Sequence, residues 1–343
     1  MRKILIGIGA AGLALYGTAY AAEPTTLKFG FTSPPTSFVH IYGSEPWIKD
    51  VEAASDGTLK IQMFFNNVLG TVFNIYDRTV NGVVDISFGT IGTVQGVFPR
   101  STVSGLPFET ENPFEASLAL YRLFENGVIT DEYKAVKVLT LFTFSSSSLH
   151  STKEIKVMED MRGLKMGAAS KTVAEAHQLL GATPVTMAPA ESYPSLQRGV
   201  IQGVNMSWPA VVSFKLDEVT KHHLDAPFGL AGAYFFLNKD AYAKLPDAAR
   251  KAIDKYSGEV LTKRLGGGGI EEDKKVIAKL RADSTRTVNS LSAAEKTRWR
   301  ETLKPVVETW VKETPDGEKV LAAFRAEVGK IRKDVAAAGG VMR

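Results

Sequence analysis

Residues 159–203 have the sequence EDMRGLKMGAASKTVAEAHQLLGATPVTMAPAESYPSLQRGVIQG, and this segment establishes the class of fold. Short apolar runs alternate in it with segments whose apolar residues recur every three or four positions, as in buried strands and amphipathic helices. The first of these helices can begin at Ser170 or at Thr172 and ends at Gly181. Alternating strands and helices predict an α/β architecture. The predicted elements are a strand over Leu164–Ala168, a helix up to Gly181, a strand over Thr183–Met187 and a helix over Ala190–Arg198.

The same alternation extends to both sides of this segment. The chain has 343 residues, which is enough for about two domains. The polar run Ser145–Ser148 follows a long predicted strand and is a candidate crossing between two lobes. We therefore expect a first lobe made of residues 22–147 and about 228–343, including the C-terminal helices, and a second lobe made of residues 148–227.

The C-terminal tail is predicted to be helical after a last strand over Ala233–Leu237. Four consecutive glycines, Gly266–Gly269, interrupt the helical pattern. Each glycine costs a helix about 1 kcal/mol relative to alanine. We therefore expect this run to break the helix or to act as a flexible joint. A phosphate-binding loop is the alternative, but the run lacks both a preceding strand and a following Lys-Ser/Thr pair.

The N-terminus has the composition of a secretory signal peptide. Arg2 and Lys3 precede an apolar run rich in Gly and Ala, and residues 19–21 form an A-x-A cleavage site. An uncleaved membrane anchor is the alternative, but the second half of the run is Gly, Thr, Tyr and Ala rather than Leu or Ile. The match of Gly7–Gly12 to G-x-G-x-x-G lacks the acidic residue that a dinucleotide site needs after the next strand. We predict cleavage after Ala21 and export to the periplasm.

Composition and motifs argue against an enzyme and against a nucleic-acid partner. The absence of cysteine excludes thiol nucleophiles, Cys-ligated zinc and disulfides, and the formal charge of +4 is spread along the chain. None of the five histidines lies in a metal-binding motif, and His222 and His223 beside Asp225 are interpreted as a surface pair. The acidic run Glu271–Asp273 is assigned to a solvated helix face. We expect no catalytic residue, no metal and no cofactor.

Three segments resemble the solute-binding proteins of tripartite ATP-independent periplasmic (TRAP) transporters: Glu159–Met166, Gly181–Val185 and Glu191–Gly203. The last contains E-x-Y-x-x-L-Q-x-G-x-x-x-G, a specific pattern after a G-L-K strand. The resemblance covers roughly Thr26 to Ser257. It implies a two-lobed α/β periplasmic binding protein, type II-like, with hinge strands and a long connecting helix. It also implies a non-enzymatic receptor that passes a small organic solute to a small and a large integral-membrane subunit, as a monomer or homodimer.

This chain departs from the resemblance at the positions that bind the ligand. The family usually has an arginine after the G-L-K strand, and this arginine binds the ligand carboxylate. This chain has Gly167 at that position. The family's second basic ligand contact aligns with Ser147, and an acidic or polar ligand contact of the family aligns with Thr90. The asparagine that is usual in the family aligns with Met206 or with the adjacent Asn205. Burying a carboxylate without a cation is costly. We therefore expect a pocket with few charges and a solute that is neutral, aromatic or weakly anionic.

Aromatic side chains are candidates for lining such a cleft, although each can instead belong to the core. An acid can still bind if serine hydroxyls, or backbone N–H groups near the start of the helix at Ser170, replace the arginine. A Trp208→Ala change is expected to weaken ligand binding. The alternatives to a transport receptor are a sensory binding protein and an exported enzyme. The expected ligand-binding residues are Phe31, Phe73, Thr90, Phe144, Ser146, Ser147, Gly167, Ala168, Asn205, Met206, Trp208 and Phe228.

Overall fold

The computed structural model describes residues 23–145 and 147–340. The predicted signal peptide and Ser146 lie outside the described residues. The strands form two mixed sheets, so the predicted α/β, two-lobed architecture is confirmed. In chain order the strands are β1 (Thr25–Phe31), β2 (Leu59–Phe64), β3 (Ile86–Thr90), β4 (Val136–Thr143), β5 (Ser147–Ser151), β6 (Lys165–Ala168), β7 (Thr183–Thr186), β8 (Gly203–Ser207), β9 (His222–Asp225), β10 (Gly232–Asn238) and β11 (Thr287–Ser290).

The first sheet has the strand order β2-β1-β3-β10-β4. Strand β1 pairs in parallel with β2 and β3, whereas β10 runs antiparallel between β3 and β4. Both faces of β10 are buried, because Phe235 and Phe236 point into two different apolar clusters. The sheet is therefore covered on both sides, as in other α/β proteins.

The second sheet has the strand order β11-β9-β5-β8-β6-β7. Strand β5 is antiparallel to its neighbours β8 and β9, and β6 is parallel to β7 and β8. Strand β11 comes from the C-terminal tail, which was expected to lie in the first lobe and to be mostly helical. It pairs in parallel with β9, from Thr287 opposite His222 to Ser290 opposite Asp225. The tail therefore returns to the second sheet.

Eleven α-helices lie in the described part of the chain and cover the two sheets. Ser170, rather than Thr172, caps the helix that follows β6, because its side chain accepts a hydrogen bond from the Val173 N–H. None of the described helices combines the length and the apolar composition needed to cross a bilayer. The helices are α1 (Glu45–Ala54), α2 (Ile75–Val80), α3 (Pro113–Glu125), α4 (Lys171–Leu179), α5 (Ser192–Gln197), α6 (Trp208–Ser213), α7 (Lys239–Ala243), α8 (Asp247–Tyr256), α9 (Glu259–Ala282), α10 (Ala293–Glu313) and α11 (Gly317–Ala337).

The chain passes between the sheets through short strand connections and through α9. Strand β4 ends in the first sheet at Thr143 and β5 begins in the second at Ser147, while β9 and β10 make the return passage. A hydrogen bond from Phe144 N to Ala231 O, 2.9 Å long, ties the two connections together. Helix α9 packs against β4 and α3 near its start and against α6 and β11 further on. It is the predicted long connecting helix.

The glycine run does not break this helix, so that expectation is wrong. Helix α9 continues without interruption through Gly266–Gly269. A Cβ atom placed on Gly266 would lie 2.9 Å from Phe114 Cα, and one placed on Gly268 would lie 2.5 Å from Tyr42 Cβ. The glycines therefore let the helix approach the start of α3 and the turn before α1 more closely than any other residue would.

Candidate ligand-binding site

The carboxyl ends of the parallel strands define the candidate site, since ligands of open α/β sheets bind at these ends. In the first sheet β3 ends at Thr90, and in the second sheet β6 ends at Ala168. The segments that follow these two strands approach each other, because a Cβ atom placed on Gly92 would lie 3.7 Å from Ser170 Cβ. The ends of the two sheets therefore lie close to one another where the lobes meet, and this junction is the candidate cleft.

An aromatic cluster forms the wall of the first lobe. The side chain of Phe31 is 1% exposed and stacks on Phe88 with ring centroids 4.5 Å apart. Phe65 and His40 lie edge-on to Phe31, at 5.6 Å and 6.0 Å between centroids, and Phe144 lies 6.1 Å from Phe88. Three of these rings, Phe65, Phe144 and His40, are only partly buried. They are therefore the members of the cluster that reach the molecular surface.

The second-lobe wall is apolar as well. Gly167 and Ala168 are buried in β6, and a Cβ atom on Gly167 would lie 3.0 Å from Val204 Cγ1 and 3.1 Å from Met187 Sδ. Met187 and Met206 are partly buried and pack on a cluster that contains Val204. A side chain at Gly167, where the resemblance places an arginine, would therefore meet aliphatic and thioether groups at close range rather than polar ones.

Two carboxyl groups in the elements that connect the lobes, Asp273 in α9 and Asp225 at the end of β9, have raised pKa values. Burial raises the pKa of Asp273, on α9, to about 8; the carboxylates of Asp225 and Glu272 add to this increase. The hydroxyl group of Ser145 lies close enough to Asp273 to lower this pKa in part, although the two side chains do not meet the geometric criteria of a hydrogen bond. Burial also raises the pKa of Asp225, against the opposing effects of Lys296 and a serine hydroxyl.

The assignment of Glu271–Asp273 to a solvated helix face is therefore wrong for Asp273, whose Oδ1 atom is enclosed. The sequence contains a signal for this burial. Asp273 lies four residues after Gly269 and three before Val276, both of which are buried in α9. It therefore shares the inward face of the helix, while Glu271 remains exposed.

Strands β5 and β9 place two histidines inside the second lobe. His150 and His223 are paired across these strands, with their Nδ1 atoms 2.9 Å apart, and His223 is 2% exposed. The interpretation of His222 and His223 as a surface pair is therefore wrong for His223. Burial, the largest effect, lowers the pKa of His223 to about 4, and Arg286 lowers it further. No group of three metal-ligating side chains occurs in the described ranges.

Two predicted aromatic contacts lie in the core of the second lobe. Trp208 is 1% exposed and packs edge-on to His150 at 5.0 Å and against Val276 and Leu280 of α9. Phe228 is 3% exposed and packs edge-on to Trp299, with ring centroids 5.5 Å apart. Both rings therefore fill space between elements.

The other predicted contacts occupy varied positions. Phe73 is 56% exposed, and Thr90 is partly buried at the end of β3. Asn205 and Met206 lie side by side in β8, so their side chains point to opposite faces of the sheet. Ser147 is the first residue of β5. His40 and Phe65 join the aromatic wall without having been predicted. Phe65 directly follows β2 and His40 lies in the helical turn before α1, and neither position belongs to a recognisable motif.

Comparisons with known proteins identify the family of this chain. The profile of the family described as bacterial extracellular solute-binding protein, family 7, matches residues 29–314. The C4-dicarboxylate-binding periplasmic protein DctP of Rhodobacter capsulatus is 26% identical over 334 residues, which cover 94% of this chain and 96% of the relative.

Two solved structures are similar over nearly their whole length. A TRAP solute-binding protein from Rhodoferax ferrireducens T118, in complex with copurified benzoate, has 29% sequence identity and a TM-score of 0.86, covering 91% of this chain and 99% of its own. A marine metagenome TRAP solute-binding protein specific for aromatic acid ligands, in complex with 3-hydroxybenzoate, has 28% identity and a TM-score of 0.85, covering 90% and 99%.

The profile match spans most of the chain and includes strands of both sheets. The family consists of solute-binding receptors, so the chain is not an enzyme. The DctP protein of Rhodobacter capsulatus is periplasmic by name, which agrees with the predicted compartment. The resemblance to TRAP transport receptors is confirmed. The chain belongs to the bacterial extracellular solute-binding proteins of family 7 and is a solute receptor of the TRAP type.

Proposed function

We propose that this receptor captures small aromatic carboxylic acids. The observation that carries the proposal is the aromatic wall of the cleft, where Phe65 and Phe144 are only partly buried. Aromatic rings pack favourably edge-to-face or offset-stacked, by about 0.5–1.5 kcal/mol beyond the area that they bury. The similar receptors in complex with benzoate and 3-hydroxybenzoate support the same class of ligand.

The second-lobe wall supports a flat and weakly polar ligand. Met187 and Met206 are partly buried there, and thioether groups contact aromatic ring edges favourably. Gly167 provides no cation, and none of the described residues that end β1, β3, β6 and β8 is basic. A dicarboxylate would leave a charged group without a partner in such a cleft, which is costly.

A binding screen tests this proposal. Benzoate and 3-hydroxybenzoate should each raise the thermal unfolding midpoint, because a ligand at 100 times its Kd stabilises the folded protein by about 2.7 kcal/mol. Succinate should leave the midpoint unchanged. Stabilisation by succinate together with no response to either aromatic acid would refute the proposal.

A pair of phenylalanine variants locates the site. Phe144→Ala removes a partly buried ring of the aromatic wall and should weaken benzoate binding at least tenfold in isothermal titration calorimetry. Phe73→Ala removes a ring that is 56% exposed and serves as the matched control, with an expected change below twofold. Equal losses in the two variants would contradict this location of the site.

We also propose the processing and assembly of the receptor. A signal peptidase removes residues 1–21, and the mature receptor delivers its solute to a small and a large integral-membrane subunit. Residues 148–227 form the second lobe, with strand β11 of the tail added at its edge. N-terminal sequencing of the protein from a periplasmic extract should begin at Ala22, and retention of Met1 would refute cleavage.

A further inference from the structure

His40 is the one member of the accessible aromatic rim, made of His40, Phe65 and Phe144, that carries a hydrogen-bonding group. It lies in a turn of π-helix, Val39–Ser44, directly before α1. Its ring is edge-on to Phe31 and to Phe65, at 6.0 Å and 4.8 Å between centroids. Single π-helical turns occur frequently at functional sites.

The ring of His40 is held in one orientation. Its Nδ1 atom lies 2.8 Å from the Oγ atom of Ser44, and Ser44 is completely buried. The Nε2 atom makes no hydrogen bond within residues 23–145 and 147–340 and is not among their enclosed polar atoms. When the Ser44 hydroxyl donates to Nδ1, the ring proton resides on Nε2, which is then a donor available to a ligand.

We propose that the Nε2–H group of His40 binds the carboxylate of an aromatic acid whose ring packs against Phe65 and Phe144. This inference rests on the proposed function and identifies the group that replaces the missing arginine. An imidazole among aromatic rings suits an aromatic monocarboxylate, because its apolar faces continue the wall while one nitrogen binds the acid. No other side chain of the rim can donate a hydrogen bond.

Ligand affinity should depend on the pH through this ring. Burial lowers the pKa of His40 in the free protein, Glu45 raises it and Lys49 lowers it; the neighbouring Phe31 and Phe65 add no charge. A bound carboxylate favours the protonated ring and raises the pKa. The Kd should therefore be constant below the free-protein pKa and increase with pH between the free and the bound pKa values. Asp273→Asn controls for titration of the connecting segment and should retain this profile.

A variant that keeps the ring and removes its nitrogens tests the proposal. His40→Phe preserves the edge-to-face packing on Phe31 and Phe65, so benzoate should bind at least tenfold more weakly while benzamide, which lacks the negative charge, changes less than threefold. The pH dependence of the benzoate Kd should also disappear. His40→Gln, which keeps a neutral donor, should bind benzoate with intermediate affinity and without pH dependence.

The outcomes distinguish this inference from the function on which it rests. Wild-type affinity of His40→Phe for benzoate, with an unchanged pH profile, overturns the role of His40 and leaves the aromatic-acid receptor intact. Equal weakening for benzoate and benzamide also overturns it, since His40 then makes no interaction that is specific to the carboxylate. Failure of the wild-type protein to bind any aromatic acid overturns both. Should His40→Phe not fold, as judged by circular dichroism, the same criteria apply to His40→Gln.

Discussion

His177 is a completely buried histidine without a hydrogen-bond partner in the part of the chain that the structure describes. It lies on α4, edge-on to Phe228 with ring centroids 5.9 Å apart. Burial lowers the pKa of His177 to about 4, because the charged ring would lose its hydration without gaining a partner. The protein therefore keeps this ring neutral.

This burial should make the protein less stable in acid. Above pH 6.5 the ring is neutral in both the folded and the unfolded state. Below pH 6.5 the ring is protonated in the unfolded chain, whereas in the folded protein it stays neutral down to about pH 4. Stability is therefore lost as the pH falls from 6.5 towards 4. At about 1.4 kcal/mol per pH unit, His177 should account for about 2 kcal/mol of the loss between pH 7 and pH 5. Between pH 7 and pH 5 the free energy of unfolding of His177→Leu, measured in urea, should therefore decrease by about 2 kcal/mol less than that of the wild type.

The control for this prediction removes packing without removing a titrating group. Phe228→Leu shortens the neighbour of His177 and should lower the free energy of unfolding equally at pH 7 and pH 5. Comparison with the wild type cancels the other titrating groups, including Asp273, whose raised pKa acts in the opposite direction. An acid-induced loss in His177→Leu as large as that of the wild type would contradict the prediction.

The chemistry of single positions was only partly accessible from the sequence. The substitution of arginine by Gly167 was visible from the motif, and its surroundings of Val204 and Met187 are apolar. The burial of Trp208 depends on Leu280, 72 positions later in the chain, and no local pattern reveals such a partner. For the same reason His40 was only one of five histidines until the fold brought Phe65 beside it.

Helix α9 shows how packing can outweigh helix propensity. Four consecutive glycines should cost several kcal/mol by propensity alone. The helix nevertheless persists, because its glycine side contacts Pro113, Phe114 and Tyr42 at distances that leave no room for a Cβ atom. Close approach of a helix backbone to other elements is a use of glycine that the sequence pattern does not distinguish from a break.

A glycine-to-alanine substitution in this run should therefore destabilise the protein. In Gly268→Ala the new Cβ atom would lie 2.5 Å from Tyr42 Cβ, a distance that requires the backbones to separate. Overpacking of this kind costs about 1–3 kcal/mol, more than the gain of about 1 kcal/mol in helix propensity. The free energy of unfolding in urea should decrease accordingly.

Gly329 in α11 provides the matched control, because a Cβ atom placed there has nothing within 4 Å. Gly329→Ala should stabilise the protein by about 0.5–1 kcal/mol through helix propensity and a less flexible unfolded chain. If Gly268→Ala were as stabilising as Gly329→Ala, the close approach of α9 would not be required by the fold.

The incorrect predictions of secondary structure also arise from contacts between residues that are distant in the sequence. Residues 287–290, TVNS, have no hydrophobic alternation, and they become β11 only because β9 presents an unpaired edge to them. The strands around residues 164–187 were predicted correctly, since their apolar residues are contiguous in sequence. Local patterns therefore located the parallel strands of the second sheet but not the edge strand added from the tail.

The molecule as a whole is two sheets that share their supporting helices. Helix α10 contributes Trp299 to the core of the second lobe, and α11 contributes Phe324 to the core of the first. The general two-lobed plan followed from the sequence and the resemblance, because motifs mark its repeated strand–helix units. The assignment of the tail helices to particular lobes depends on contacts between residues far apart in the sequence, so it could not be predicted from local sequence patterns.

This sharing predicts that the lobes unfold together. Near its start α9 buries Leu265 in the core of the first lobe, and near its end it buries Leu280 against Trp208 of the second. Leu265→Ala and Leu280→Ala should each cost about 2–5 kcal/mol. Because one helix and the connections between β4, β5, β9 and β10 join both cores, each variant should lower the midpoint of a single calorimetric transition whose calorimetric and van't Hoff enthalpies agree. Two separate transitions, each shifted by only one of the variants, would show instead that the lobes are independent folding units.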